Sequence, residues 1–188
     1  MNERLNELFN SISTTITSAS NKNLLYFDIS IKQIIHHLKI LQESNKSLYI
    51  VGNGGSAGIA SHAANDFINM CNIKAETFHD ISVLTCLTND YGYSNAFSKL
   101  LECHSDSGDI LFAISSSGNS DNIINAVNSF KAKNSNNIVV TLSGFSENNK
   151  LRKLGDINFY NKSESYGIVE ISHQFILHFI ADKYCGNC

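Results

Sequence analysis

The 188-residue chain has few charged side chains: they make up 16% of the sequence, against about 25% in an average soluble protein. Its formal net charge is −3, and it contains no run of lysine and arginine. A groove for nucleic acid needs basic clusters, because they neutralise the phosphate backbone. We therefore expect no nucleic-acid partner. Proline and tryptophan are also absent, and no functional expectation depends on either.

Long apolar runs and a disulfide framework are missing as well. No stretch approaches the ~18 residues of a membrane-spanning helix, and the N-terminal MNERLNELFNSIS lacks the apolar core of a signal peptide. These features predict a cytoplasmic protein with no membrane partner. The five cysteines are odd in number and irregularly spaced, which argues against a secreted disulfide scaffold. Cys185 and Cys188 form a terminal C-x-x-C, to which we assign no function from sequence.

Hydrophobic periodicity changes near residue 46. Before that point, apolar residues recur at helical spacing in two segments, the first extending to Ile16, with a polar stretch at residues 18–23 between them. Beyond it, short apolar runs alternate with helical patterns. Buried strands are predicted at residues 47–51, 110–114, 138–142 and 157–160, with a weaker candidate at 75–78. Helices are predicted at residues 57–70, 93–103, 121–132 and 168–184.

This alternation of strands and helices predicts the fold class. It indicates a parallel sheet with helices on both faces, the three-layer α/β architecture. The length suits one domain, which we divide into an N-terminal helical pair at residues 1–46 and an α/β core at residues 47–188. The apolar stripes of the two leading helices exceed what the sheet can cover. They therefore predict an added layer or a subunit interface.

Two loops at the ends of predicted strands carry binding chemistry. VGNGGSA at residues 51–57 opens a helix, where glycines free the backbone to approach a ligand and the helix N-terminus attracts an anion. ISSSGNS at residues 114–120 brings four hydroxyls to another helix start, which suits a phosphate monoester. Such loops meet at the carboxyl ends of parallel strands. The first loop also fits G-x-G-x-x-A, which keeps a nicotinamide-dependent oxidoreductase as an alternative.

Histidines and carboxylates on two predicted helices form a candidate metal or acid–base group. His62 and Asp66 stand at i, i+4 and share one helix face, a spacing that suits metal ligands or a base with its orienting partner. The last helix adds Glu170, His173 and His178. Glu170 and His178 are separated by about 12 Å of helical rise, which is too far for one metal on a straight helix. Either Glu170 precedes the helix, or two subunits supply the two ligands.

Four segments together resemble the bacterial phosphoheptose isomerases of the sugar isomerase (SIS) domain superfamily: VGNGGSAGIASHAAND, VLTCLTNDYGY, GDILFAISSSGNSDNI and VEISHQFILH. The resemblance covers residues 47–180, and the two leading helices also suit the family. The glycine and serine loops are typical of the whole superfamily. NDYGY and the histidine-containing ends narrow the resemblance to the phosphoheptose isomerases. The resemblance implies a five-stranded parallel flavodoxin-like sheet, a phosphorylated sugar substrate, a zinc ion and a homotetramer with active sites at subunit interfaces.

The same resemblance implies a reaction and its residues. The reaction is the conversion of D-sedoheptulose 7-phosphate to D-glycero-D-manno-heptose 7-phosphate through an enediol, supplying heptose for surface polysaccharide. The implied substrate-binding residues are Asn53, Gly54, Gly55, Asp66, Asn89, Asp90, Ser115, Ser116, Ser117, Ser120 and Glu170. The implied zinc ligands are His62, Asp66, Glu170 and His178. Asp66 and His178 match the acid–base pair, and Glu170 is a second candidate for the base.

Three positions depart from the residues usual in this family. Asp66 replaces a glutamate, Glu170 replaces a glutamine, and Met70 stands where an arginine is common. Since a base displaced by about 1 Å loses about 10²-fold in rate, these changes predict reduced or altered activity. Two alternatives stay open: an isomerase of another phosphosugar, and a non-catalytic sugar-phosphate-binding or scaffold protein. Retention of all four metal-competent side chains favours an enzyme over the scaffold.

Overall fold

The computed structural model describes residues 2–21 and 23–186, so Cys188 lies outside the described residues. The helices are α1 (Asn2–Ser13), α2 (Phe27–Glu43), α3 (Gly55–Asn69), α4 (Ile81–Tyr91), α5 (Ala96–His104), α6 (Asp121–Lys133) and α7 (Tyr166–Cys185). The strands are β1 (Ile16–Ala19), β2 (Leu24–Leu25), β3 (Leu48–Val51), β4 (Ala75–Glu76), β5 (Ile110–Ser115), β6 (Ile138–Ser143) and β7 (Ile157–Tyr160).

All these strands form one sheet in the order β2-β1-β7-β6-β5-β3-β4. Strands β3 to β7 pair in parallel, which confirms the five parallel strands of the prediction, although the sheet has seven strands among the described residues. Strands β1 and β2 extend the sheet beyond β7 with antiparallel pairing. Because β3 and β5 are parallel neighbours, their carboxyl ends lie at the same edge of the sheet. The glycine and serine loops both begin at that edge.

Alternate side chains of the strands divide the core into two layers. In β3, Leu48 and Ile50 pack with buried residues of α2, α3 and α7, whereas Tyr49 and Val51 pack with those of α5 and α6. Helices therefore cover both faces, and the predicted three-layer α/β architecture is confirmed. Within the described residues, no helix has the length and apolarity needed to cross a bilayer.

The prediction for the N-terminal segment is wrong in one respect. The first helix ends at Ser13, and Ile16 begins β1, which pairs with β7 through Thr17 opposite Phe159. Part of the polar stretch expected between two helices is thus a strand. Pairing with β7 satisfies the backbone of this segment, and that long-range contact overrides the local helical spacing.

A second difference concerns the segment before residue 93. Helix α4 was not predicted; none of its residues is fully buried, and only Leu84 and Leu87 pack against the core, both partly. Its first turn is capped by Asp80, whose side chain accepts a 3.0 Å hydrogen bond from the backbone N–H of Val83. The helix predicted at residues 93–103 begins as a short 3₁₀ turn and continues as α5.

His173, on α7, is fully buried, and neither ring nitrogen has a hydrogen-bond partner among the described residues. Burial lowers the pKa of His173 to about 4. The nearby backbone of Ser143 raises this pKa, but by less than burial lowers it. In the unfolded chain the pKa of this histidine is about 6.5. Between these values the unfolded state holds a proton that the folded state lacks. Stability contributed by the neutral ring is therefore lost as the pH falls through this window.

We expect the free energy of unfolding to fall by about 2 to 3 kcal/mol between pH 7 and pH 4.5 on account of His173 alone. Urea unfolding at several pH values measures it, with His173→Leu as the comparison, because leucine keeps the volume and removes the titration. A variant that loses as much stability on acidification as the parent would contradict this assignment.

Candidate functional site

A cavity of about 280 Å³ opens where the chain leaves β3 and β5. Its walls come from the glycine loop, the serine loop and the start of α7. The lining residues are Asn53, Gly54, Gly55, Ser56, Ser115, Ser116, Ser117, Ser120, Tyr166 and Glu170. The two loops that the sequence singled out therefore enclose one space, at the sheet edge where open α/β folds bind ligands.

The serine loop is a tight turn that presents hydroxyls. Gly118 has a φ of 65°, a left-handed conformation that favours glycine, and its N–H donates to the carbonyl of Ser115 at 2.9 Å. The Ser115 hydroxyl donates to that of Ser120 at 3.2 Å. Ser120 stands at the N-cap of α6 without a side-chain cap bond, which leaves the helix start to attract an anion. An anion at this loop would thus meet neutral hydrogen-bond donors and a helix dipole, without a lysine or arginine among the residues that line the cavity.

Glu170 places a carboxylate beside the glycine loop. It lies so close to Gly55 that a Cβ at position 55 would overlap its carboxylate atoms. A side chain at this position would therefore displace the Glu170 carboxylate, which is the flexible end of its side chain. The contact also places a proton acceptor in the cavity that the serine hydroxyls line.

The glycine loop and the start of α6 are joined by a reciprocal pair of amides. The Asn53 side-chain amide donates to Asn122 Oδ1 at 2.8 Å, and the amide of Asn122 donates back to Asn53 Oδ1 at 2.8 Å. The Tyr93 hydroxyl also donates to Asn53 Oδ1, at 2.7 Å. With its oxygen doubly engaged, Asn53 has one side-chain N–H left for a ligand. Neither Asn122 nor Tyr93 was predicted.

A second group of side chains lies further along α3 and α7. Asp66 Oδ2 is 3.7 Å from His62 Nε2 and 2.9 Å from His178 Nδ1. One ligand atom from each of these three residues lies within 4.8 Å of the others. Two imidazole nitrogens and one carboxylate oxygen with a further position open form a donor set that suits a divalent transition metal. The three residues therefore fit a metal ion.

The ring of His178 is held from both sides. Its Nδ1 meets Asp66, and its Nε2 lies 2.8 Å from the side-chain nitrogen of Gln174. A partner on the second ring nitrogen fixes the orientation of a ligating histidine. Gln174 was not predicted, although its i, i+4 spacing from His178 is the signal that would have found it.

Other predicted site residues lie apart from this group. Glu170 is inside the continuous helix α7, so the alternative in which it precedes the helix is wrong. It lines the cavity and does not belong to the three-residue cluster among the described residues. Asn89 and Asp90 are exposed at the end of α4 and are not among the residues that line the cavity. Their segment reaches the glycine loop through Tyr93.

Known proteins share both the sequence and this arrangement of elements. The family model of the SIS domain matches residues 28–144. A phosphoheptose isomerase of Sulfurimonas denitrificans is 35% identical over 172 residues, which cover 88% of this chain and 85% of the relative. The chain belongs to the phosphoheptose isomerase family of SIS-domain proteins.

Further members of the phosphoheptose isomerase family support the same assignment. A phosphoheptose isomerase of Helicobacter pylori is 31% identical over 170 residues, covering 87% of each chain. The solved structure of a phosphoheptose isomerase from Neisseria gonorrhoeae superposes with a TM-score of 0.84 at 24% identity, covering 98% of this SIS-domain chain and 96% of that one. At that identity the superposition supports the fold alone.

Proposed function

We propose that this protein is an aldose–ketose isomerase of the cytoplasm that converts D-sedoheptulose 7-phosphate to D-glycero-D-manno-heptose 7-phosphate, for the heptose of surface polysaccharides. The observation that carries the proposal is the His62–Asp66–His178 cluster on the two helices whose first turns border the serine-lined cavity. The sequence relatives named phosphoheptose isomerase support it. Metal-competent side chains on α3 and α7, beside a cavity that the serine loop before α6 also lines, suit the isomerisation of a phosphorylated sugar.

Substrate binding divides between the two loops. We assign the phosphate to Ser115, Ser116, Ser117 and Ser120, because hydroxyls at a helix N-terminus offer donors and a favourable dipole. The remaining N–H of Asn53 and the backbone of Gly54 and Gly55 donate to sugar oxygens. Asn89 and Asp90 contact sugar hydroxyls in this proposal, as the family resemblance implies.

We propose that the metal is zinc, held by His62, Asp66 and His178 with Glu170 as a further ligand. Bound zinc polarises a carbonyl and stabilises the negative charge that develops during enolisation. Glu170 and His178 are separated on α7 by about 12 Å, so Glu170 of one subunit would join the cluster of another. Exposed apolar side chains on α1 and α7 offer surface for such an assembly, which we propose is a homotetramer: Leu5, Phe9, Ile171 and Phe175.

The proton transfers are assigned to Asp66 and His178. Asp66 removes the proton from C1 of the ketose and returns it at C2, and His178 moves the proton between the two oxygens of the enediol. The 2.9 Å contact between these side chains orients the imidazole for that role. Glu170 is the second carboxylate, and its replacement by the family's usual glutamine separates the two roles.

The test is a product assay with two substrates of different length. The purified protein is incubated with zinc and either sedoheptulose 7-phosphate or fructose 6-phosphate, and aldose formation is followed by chromatography. We expect turnover of the seven-carbon sugar to exceed that of the six-carbon sugar. Reversed preference would indicate another phosphosugar isomerase, and tight binding of both without product would indicate a non-catalytic sugar-phosphate-binding protein.

Asn122 offers a prediction on substrate binding. Asn122→Ala removes both hydrogen bonds that hold the Asn53 amide to α6. Because Asn53 would lose a positioning contact of ordinary strength, we expect the KM for the phosphosugar to rise about tenfold and kcat to change less. The matched control is Asn125→Ala one turn along α6, because Asn125 bonds Ser94 and Asn95 and leaves Asn53 untouched. Equal effects of the two variants would count against the positioning role.

A further inference from the structure

Cys71 and Cys185 lie together although 114 positions separate them, and their Sγ atoms are 2.9 Å apart. Cys71 follows the end of α3, and Cys185 is the last residue of α7. Both are free thiols in this structure. A disulfide bond of about 2.05 Å requires the sulfurs to approach by less than about 1 Å. The pair therefore stands close to the geometry of a covalent link.

Contacts from a third helix hold the two cysteines in place. The side-chain amide of Gln42, on α2, donates to the carbonyls of Cys71 and Asn72, each at 2.9 Å. The hydroxyl of Tyr184, next to Cys185, donates to the oxygen of the same Gln42 amide at 2.7 Å. The backbone of Cys71 and the side chain of Tyr184, the residue before Cys185, are thus bonded to one side chain. Such pre-positioning raises the effective concentration of one thiol at the other.

We propose that Cys71 and Cys185 form a thiol pair that reacts with small-molecule disulfides and closes into a reversible intrachain disulfide. This link would join the ends of α3 and α7, the helices that also meet at Gly55 with Glu170 and at Asp66 with His178. It is independent of the isomerase activity proposed above, because neither cysteine lines the cavity or belongs to the three-residue cluster.

The two thiols have different roles in this reaction. Cys71 is buried, at 5% exposure, and burial together with the hydrogen bond to Cys185 raises the pKa of its thiol. Cys185 is less buried and is the thiol that meets the reagent. With oxidised glutathione, the Cys185 thiolate breaks the glutathione S–S bond and releases one glutathione. Cys71 Sγ then attacks Cys185 Sγ, the bond between Cys185 and glutathione breaks, and the departing glutathione thiolate takes up the proton that Cys71 loses.

The experiment uses the full chain carrying Cys86→Ser and Cys103→Ser, because both of these cysteines are exposed and would otherwise take glutathione themselves. After oxidised glutathione, we expect the loss of two thiols per chain, a peptide cross-linked between Cys71 and Cys185, and full recovery with dithiothreitol. The thermal midpoint should rise on oxidation, because the link closes a long loop.

Three further variants identify the partners. In a chain that also carries Cys188→Ser, Cys71→Ala should trap a glutathione adduct on Cys185, since no second thiol is left to displace it. Cys185→Ala should take up no glutathione at Cys71, and Cys188→Ser should still form the cross-link. The proposal would be overturned if Cys71 and Cys185 stayed unreacted in the chain with only Cys86 and Cys103 replaced, or if the cross-link mapped to Cys185 with Cys188. If no preparation had isomerase activity, the proposed function would fail, but the thiol count and the mapped cross-link would still test the cysteine pair.

Discussion

Replacing Asp66 with asparagine is expected to lower kcat for the isomerisation about 10³-fold, within the range that general acid–base groups contribute. The change keeps the size of the side chain but removes the negative charge that faces both His62 and His178. In the proposed mechanism it therefore affects both the proton transfer at carbon and the binding of the metal. Steady-state kinetics with sedoheptulose 7-phosphate measure the loss, and the zinc content of the purified variant measures the effect on the metal.

Two comparisons separate the role of Asp66 from a general effect of charge. Glu170→Gln restores the residue usual in the family, so this variant should keep kcat within about fivefold of the parent if Asp66 is the base. Asp28→Asn, at an exposed position in the first turn of α2, should leave the rate unchanged. A large loss in Glu170→Gln with little loss in Asp66→Asn would assign the base to Glu170 instead.

The largest expected loss of stability is that of Gly118→Ala. Gly118 has a φ of 65°, and a Cβ there would overlap the side chain of Asn149. Asn149 has little freedom to move, because its amide donates to Ser143 and Ser146 and its oxygen accepts from the backbone of Arg152. Backbone strain and overpacking together predict a decrease of about 2 to 4 kcal/mol in the free energy of unfolding.

Urea unfolding tests this expectation, with Gly58→Ala as the control. Gly58 lies inside α3, and a Cβ added there meets no atom. Alanine has the better helix propensity, so Gly58→Ala should be neutral or stabilising by up to about 1 kcal/mol. If Gly118→Ala unfolds at the same urea concentration as the parent, the strain assigned to the serine loop is absent.

The parts of the fold that the sequence predicted well share one physical feature. The runs at β3, β5 and β6 are almost wholly apolar, with Thr141 as the one polar residue before the strand ends, because both faces of a central parallel strand are buried. The loops that follow them were recognised because glycine and serine interrupt an apolar run at a helix start. Local composition determines both features, and the structure places the two loops around one cavity.

What the sequence did not predict depends on contacts between distant residues. Strand β1 exists because β7 offers it a partner, and no local pattern reports that. The amide pair of Asn53 with Asn122 joins the glycine loop to the start of α6, 69 positions along the chain. The contact between Cys71 and Cys185 spans 114 positions. The helical rise between Glu170 and His178 was predictable, since it follows from geometry alone.

The central claim is that the His62–Asp66–His178 cluster serves a metal-dependent isomerisation of a phosphorylated heptulose. Its most direct test is the turnover of sedoheptulose 7-phosphate by the same preparation as purified, after treatment with a chelator, and after zinc is added back. We predict formation of the aldose phosphate, loss of that activity with the chelator and recovery with zinc. Failure to form the aldose with zinc present, or full activity after the metal has been removed, would contradict the claim.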